Sequence, residues 1–440
     1  MTAQETTFMN DGGGLKLAPR QDRIQSLDVT RGYALFIVLL VNLFAASQPI
    51  AEFVFPGYVG GLAEGEAGPW LAMMIGFFGV GRGLFSMLFG AGMMLILESL
   101  MAKFDPKQAR NVFFRRLAFL FVFGLVDLFL LLWWGDILLL YALAGVVLYF
   151  MRNIRRGWMI FWVVLFALIP TGLGVMQNGG IEYIYPEFQK ILELRAGGAE
   201  LNAEQQALYK DLSFLLDPAV IAKEKALMMT GSASEIYHHL AARGYEMNIS
   251  MFLTFGLWDA LAAMLIGIMI YKNGFLTGKK PTATYVKVAV LCLLIGLGLR
   301  SFGFVSHYMA DFSGYWGLFT AGVDQITRFL IAFGMIATVN LLVKGARSGL
   351  ISRGFAAIGR MALSNYLMQS TIYVVVFTAI GFGLYGQLGF MQLWLIAIGF
   401  FILQMVFSLF WLSRYRFGPF EWLWRVMTYG HKIPNQKGVD

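Results

Sequence analysis

Seven ionisable side chains interrupt long apolar stretches: Arg82, Asp127, Asp136, Asp259, Arg300, Asp324 and Arg328. At the centre of a membrane helix each costs at least about 2.5 kcal/mol unless paired or hydrated, so each marks an ion pair, a wet cavity or a functional group. Asp324 and Arg328 stand four residues apart and can pair on one helix face. Arg82 has no sequence-near partner, and bridges to Asp127 or to Asp259 are both open. Asp136 follows a glycine and precedes an apolar run, which suits a helix cap and a general base equally. A lone amide, Asn42, lies eleven residues beyond Arg31. In a helix that is a rise of about 16 Å, near the middle of a bilayer whose surface is at Arg31. Such an amide should face other helices or a cavity, because an unpaired one in hydrocarbon is costly.

The other polar candidates are fewer. His307 and Asp311, four residues apart, have the spacing of an oriented acid–base pair, with the structural use of a lone interfacial histidine as the alternative. His238 and His239 are adjacent and point to different helix faces, a poor chelate, and no metal site is expected. Asn365 and Gln369, and Glu421 and Arg425, are i,i+4 pairs that suit helix contacts. Zinc-protease, phosphate-loop, dinucleotide and nucleophile-elbow signatures are all missing from the sequence. The single cysteine, Cys292, rules out an intrachain disulfide.

The elements that must position these groups are membrane helices. With 58% hydrophobic and 14% charged residues and a mean hydropathy of +0.66, the chain carries more apolar surface than a soluble domain can bury. Apolar runs predict ten spans near 30–50, 69–98, 113–132, 136–152, 157–177, 248–272, 284–306, 315–343, 355–381 and 390–413. The second is interrupted at Gly79–Gly83, the third and fourth are joined by a tight Trp133-Trp134-Gly135-Asp136 turn, and the eighth is long enough to tilt. Threading ten spans puts every basic cluster on one side: Arg23 and Arg31, Lys103 to Arg116, Arg152 to Arg156, Lys272 to Lys280, Lys344 to Arg353, and Arg414 to Arg425. Loops with Glu52, Glu64 and Glu66 lie on the other. By the positive-inside rule both termini are cytoplasmic, the first span is a retained anchor, and the net charge of +8 reflects topology rather than nucleic-acid binding.

The expected organisation is a disordered cytoplasmic tail (1–22), a first half of five spans (23–177), an extracytoplasmic helical cap (178–247) and a second half of five spans with a cytoplasmic tail (248–440). The cap holds ten acidic and six basic residues. Helices are expected over Tyr185–Arg195, Ala203–Leu215 and Pro218–Thr230, the last capped by Asp217. The fold class is all-α and polytopic.

Taken together, the ordered motifs resemble one family. Arg23…Leu27-Asp28…Arg31-Gly32…Asn42, Phe85…Leu88-Phe89-Gly90-Ala91-Gly92 and Gly135-Asp136-Ile137-Leu138 are similar to the first half of the YeiB-like bacterial membrane proteins. Trp258-Asp259, Gly359-Arg360-Met361-Ala362-Leu363-Ser364-Asn365-Tyr366 and Gly418-Pro419-Phe420-Glu421-Trp422 resemble that family's C-terminal domain of unknown function 418. More distantly, the Leu-Asp-x-x-Arg-Gly…Asn opening looks like that of transmembrane acyltransferases such as heparan-alpha-glucosaminide N-acetyltransferase. That likeness implies acyl transfer across a bacterial inner membrane, with acyl-CoA as donor substrate, no bound cofactor, and an extracytoplasmic glycan, lipid or small-molecule acceptor. By that likeness Asp28 and Arg31 lie near the cytoplasmic donor entrance and Asn42 near the reacting centre. Beside Asn42, the chain's own carboxylates Asp127 and Asp136 are the candidate catalytic bases, and Arg82, Asp259, His307 and Asn365 join Asp28 and Arg31 as candidate binding residues. Asp127 stands where YeiB-like members often carry histidine, and residues 43–68 lack the histidine of the heparan-type enzyme. The alternative is a carrier for a lipid or small metabolite, its cavity lined by Asn42, Arg82, Asp127 and Asp259. Membrane lipid and a second copy of the chain are the expected partners besides donor and acceptor.

Overall fold

The structure, a computed structural model, describes residues 25–312, 315–345 and 349–437. The tail expected over 1–22 lies outside the described residues. Among those described, seventeen α-helices follow in order: α1 Gln25–Ser47, α2 Ile50–Val54, α3 Ala67–Gly76, α4 Val80–Met101, α5 Pro106–Phe129, α6 Leu138–Met151, α7 Arg156–Ala196, α8 Ala203–Leu216, α9 Pro218–Thr230, α10 Ala233–Met251, α11 Leu257–Lys272, α12 Thr282–Met309, α13 Tyr315–Gly345, α14 Leu350–Arg360, α15 Ala362–Phe377, α16 Phe390–Arg414 and α17 Pro419–Tyr429. Among the described residues there is no sheet, only a lone bridge between Tyr415 and Gln436.

Seven segments are long and apolar enough to cross a membrane, α3 and α4 counting as one, and α6 and α15 are shorter apolar helices. With α5, which opens on Lys107, Arg110, Arg115 and Arg116 before turning apolar, these correspond to the ten expected crossings. Contacts between loops join the ends that such a threading requires. At the basic end, the Lys272 ammonium donates to Arg152 O (2.7 Å), Lys344 to Lys280 O (2.6 Å) and Arg115 to Met427 O (2.9 Å). At the cap end, Lys225 pairs with Glu52 (2.5 Å) and the Phe390 N–H donates to Glu66 (2.6 Å).

Three elements differ from expectation. The span over 157–177 and the cap helix over 185–195 are one helix, α7, of 41 residues. At 1.5 Å per residue it is about 60 Å long, twice a bilayer core, so it carries the chain out into the cap. The expected boundary at residue 177 therefore falls inside a helix. Second, the turn between the third and fourth spans is longer than the tight turn expected: α5 stops at Phe129 and α6 begins at Leu138, with Leu132 in a left-handed conformation. Third, the ninth span is split at Met361 into α14 and α15.

Helices α8 and α9 match their expected limits and their caps explain why. Asn202 and Gln205 form a reciprocal capping box, and Asp217 accepts from the Ala219 N–H. The cap docks through Glu224, which receives both the Arg243 guanidinium and the Tyr385 hydroxyl at 2.5 Å. Burial and the Glu224 charge push the Tyr385 hydroxyl well above its ordinary pKa.

Central packing relies on backbone contact. A Cβ on Gly267 of α11 would lie 1.9 Å from Met87 O of α4, and one on Gly90 would lie 2.2 Å from Met264 O. These reciprocal glycines let α4 and α11 touch main chain to main chain. Gly32 of α1 and Gly359 of α14 do the same, against Phe355 O and Asp28 O.

Candidate functional site

The break between α3 and α4 organises the first polar cluster. Gly79 takes φ +72°, which ends α3 and starts α4 at a new angle. A broken helix at membrane depth leaves carbonyls that need donors. Arg300 of α12 supplies them, reaching Phe78 O at 2.9 Å and Ile75 O at 3.4 Å. Arg328 of α13 lies across the break, so close that a Cβ on Gly79 would sit 2.4 Å from its Cδ. Two carboxylates link these cations. Asp324 meets Arg300 and Arg328, both at 2.8 Å. Asp259 meets Arg82 at 2.7 Å and Arg328 at 3.6 Å, and its other oxygen accepts from Gln325 at 2.7 Å. The i,i+4 pair therefore exists, as one link of a longer chain of charges. Of the two bridges open to Arg82, the structure makes the one to Asp259.

Asp127 is in a second cluster, with Asp136, Ser370 and Tyr366 around its carboxylate. Both of its oxygens are buried, and neither reaches hydrogen-bond geometry with a donor among the described residues. Asp136 accepts from the Leu138 and Leu139 N–H groups at 3.1 and 2.8 Å, so it does cap α6. It does so 6% exposed, inside the molecule rather than at the outer surface. The Tyr366 hydroxyl accepts from the Ile137 N–H (3.2 Å) and fixes the same loop. Tyr373 packs against Trp133 (4.9 Å between centroids) and donates to Leu39 O of α1 (3.3 Å). Asn42 is one turn beyond Leu39, half-buried, and its amide is hydrogen-bonded to no described residue.

At the basic end, Arg31 pairs with the buried Asp28 at 3.7 Å. Arg31 and Arg425 each lie close enough to Arg116 to repel it. Arg116 stacks on Trp424, 3.5 Å from the ring centroid. Glu421, expected to pair along its own helix, instead spans to α15. Its oxygens accept from the Leu363 N–H (2.6 Å), the Ser364 N–H (3.1 Å) and the Ser364 hydroxyl (2.6 Å). Two of the motifs noted in sequence thus form a clasp, in which Glu421 of the Gly418–Trp422 segment caps the helix that starts within the Gly359–Tyr366 segment. Burial pushes the Glu421 carboxyl above its ordinary range, against the pull of those donors.

The remaining candidates stand apart. His307 packs edge-on to Phe312 (5.5 Å between centroids) with a buried Nδ1, and makes no ion pair with the exposed Asp311. The expected acid–base pair is not formed, because the chain turns at Asp311 through φ 51° and carries its side chain away. Asn365 is wholly buried and joins α15 to α16: its amide donates to Ser408 (3.0 Å) and Ile358 O (3.3 Å), while Gln404 donates to Asn365 O (3.0 Å) and receives Gln369 (3.0 Å). Sequence reasoning misses the places of Gln325, Arg116 and Ser370 in these clusters. Gln325 carries a signal, lying beside Asp324 and three residues before Arg328, whereas the other two are visible only through tertiary contact.

The apolar crossings, the helix break satisfied from within and the charge confined to bundle interiors and ends define a polytopic helical membrane protein. Residues 270–431 match the family model described as "Protein of unknown function (DUF418)". Over nearly its whole length the chain is also similar to two bacterial proteins described as uncharacterized. It is 29% identical to YxaH of Bacillus subtilis (strain 168), covering 93% of this chain and 94% of that protein. It is 26% identical to YeiB of Escherichia coli (strain K12), covering 92% and 96%. No solved structure matches. Within its class the chain is thus similar to the YeiB-like proteins over nearly its whole length, and to the DUF418 model over residues 270–431.

Proposed function

We propose that the protein moves an acyl group from a thioester donor, taken up at the basic end, to a hydroxyl or amine of a glycan, lipid or small molecule at the cap end of a bacterial inner membrane. The observation that carries this reading is the Asn42 amide, without a partner among the described residues and one turn from the Leu39 carbonyl that Tyr373 ties to the Asp127–Asp136 cluster. An amide without a partner at this depth is a cost in an idle scaffold and an asset where charge develops on a carbonyl oxygen. In the proposed step the acceptor oxygen or nitrogen bonds to the thioester carbonyl carbon while Asn42 Nδ2 donates to the forming oxyanion. The Asp127–Asp136 pair takes the acceptor's proton. Collapse then breaks the C–S bond, and the proton passes to the departing thiolate. Arg31, with Arg116 and Arg425, supplies positive charge for the anionic part of a donor such as acyl-CoA.

The test is calorimetry of acyl-CoA with the detergent-purified protein, followed by thiol release in the presence of candidate acceptors. Saturable binding weakened by Arg31→Ala, with thiol release lowered about 100-fold by Asn42→Ala, supports the reading. Absence of binding at millimolar donor overturns it. That result would leave carriage of a lipid or metabolite, a reading favoured by the two crossings broken at Gly79 and Met361.

A further inference from the structure

We infer that the Arg82 end of the charge chain is a binding site for an anionic group, a carboxylate or phosphate. As the seat of the acceptor it rests on the acyl-transfer reading; as an anion site it stands without it. The continuous chain Arg82–Asp259–Arg328–Asp324–Arg300 contains three guanidinium groups and two carboxylates, so one positive charge is left over. An uncompensated cation at membrane depth calls for a counter-charge.

The surplus has a definite place. The Arg300 and Arg328 side chains are 1% and 7% exposed, and each is held from two sides. Arg82 is held by its Nε alone, through Asp259, and its side chain is 32% exposed. Its terminal nitrogens therefore form an open fork, aimed by a carboxylate that Gln325 and Arg328 lock in turn. Such a fork matches the two oxygens of a carboxylate or phosphate. α4, which carries it, is packed by α1, α5, α6, α11 and α13. Arg82 also lies in the first turn of α4. The backbone N–H groups of a first turn lack intrahelical acceptors, and they add to the same positive field. α4 ends at Met101, toward the basic end. The adjacent Gly81 lies against Ile37 and Val38 of α1, about one turn short of Asn42, so the fork sits at mid-depth in the bundle.

The experiment is a titration of the detergent-purified full chain with inorganic phosphate, read as thermal shift and calorimetric heat, in wild type, Arg82→Gln and Arg82→Lys. The expected result is saturable binding in wild type, weakened at least about tenfold in Arg82→Gln and about threefold in Arg82→Lys, which keeps the charge and loses the fork. Equal affinity in all three, or no saturable binding in wild type, overturns the inference. Should Arg82→Gln not purify as a folded protein, the wild-type against Arg82→Lys comparison decides on the same terms. Native mass spectrometry separates the sources: an anionic phospholipid retained by wild type and lost in Arg82→Gln identifies a lipid headgroup, whereas phosphate binding by lipid-free wild type identifies a soluble anion. Acyl-CoA calorimetry on the same samples keeps the two readings apart. Phosphate binding that depends on Arg82 without thioester binding retains the anion site and removes the acyl-transfer reading.

Discussion

The Arg82–Asp259–Arg328–Asp324–Arg300 chain and the Asp127–Asp136 pair both place charge inside the helix bundle, and they do it in opposite ways. In the chain, each carboxylate touches two guanidinium groups, and Arg300 also closes the α3–α4 break. In the pair, two groups of the same sign lie side by side, and only Asp136 has donors, from the start of α6. Opposite charges interleaved with helix-break carbonyls make a scaffold. Like charges held together by the fold resist packing for its own sake, and such sites are characteristic of proton chemistry.

The sharpest way to break this contrast is Asp259→Asn. It leaves Arg82 and Arg328 without their shared counter-charge, and a loss of about 3–5 kcal/mol is expected, read as the yield of monodisperse protein and its unfolding temperature. Adding Arg82→Gln to that variant should recover part of the loss, a coupling of about 0.5–3 kcal/mol. Next in size is Gly79→Ala, which meets both the left-handed backbone and Arg328; about 1–3 kcal/mol should be lost. Asp127→Asn should behave oppositely to Asp259→Asn, with unfolding stability within about 1 kcal/mol of wild type because a like charge has been removed. Thiol release, by contrast, should vanish. A large destabilisation in Asp127→Asn would erase the distinction between the two regions.

The smallest effect concerns Glu421, whose carboxyl is pushed up by burial at the basic end. A raised folded-state value means that the folded protein holds the proton more tightly than the unfolded chain. Its stabilising contribution is therefore full below the ordinary glutamate range and fades as pH rises through the raised value. Glu421→Gln should flatten that part of the curve of unfolding temperature against pH, with a change of less than about 1 kcal/mol at neutral pH.

Much of this architecture is legible in the sequence because hydropathy and loop charge act locally. The ten apolar runs, the glycine interruption near Gly79 and the capped helix starting at Pro218 are each set by residues next to one another. The continuity of α7 is harder to read, since Pro170 and Pro186 inside it look like stops. They are tolerated in a helix that has neighbours to pack against. Partner choice is out of reach. Arg82 and Asp259 are 177 residues apart and Glu421 and Leu363 are 58 apart, so only the tertiary fold brings them together. The separation of His307 from Asp311 likewise depends on a local left-handed turn at a non-glycine residue, which residue type gives little reason to expect.

The stitched break between α3 and α4 also sets a timetable for biogenesis. Phe78 O waits for Arg300, 222 residues later in the chain. At about 5–20 residues per second, ribosomes need roughly 10–45 s to deliver that partner. During this interval the early helices hold a backbone defect that neither lipid nor their own side chains repair. The first half of the chain is thus a client for whatever guards nascent membrane segments until the second half arrives.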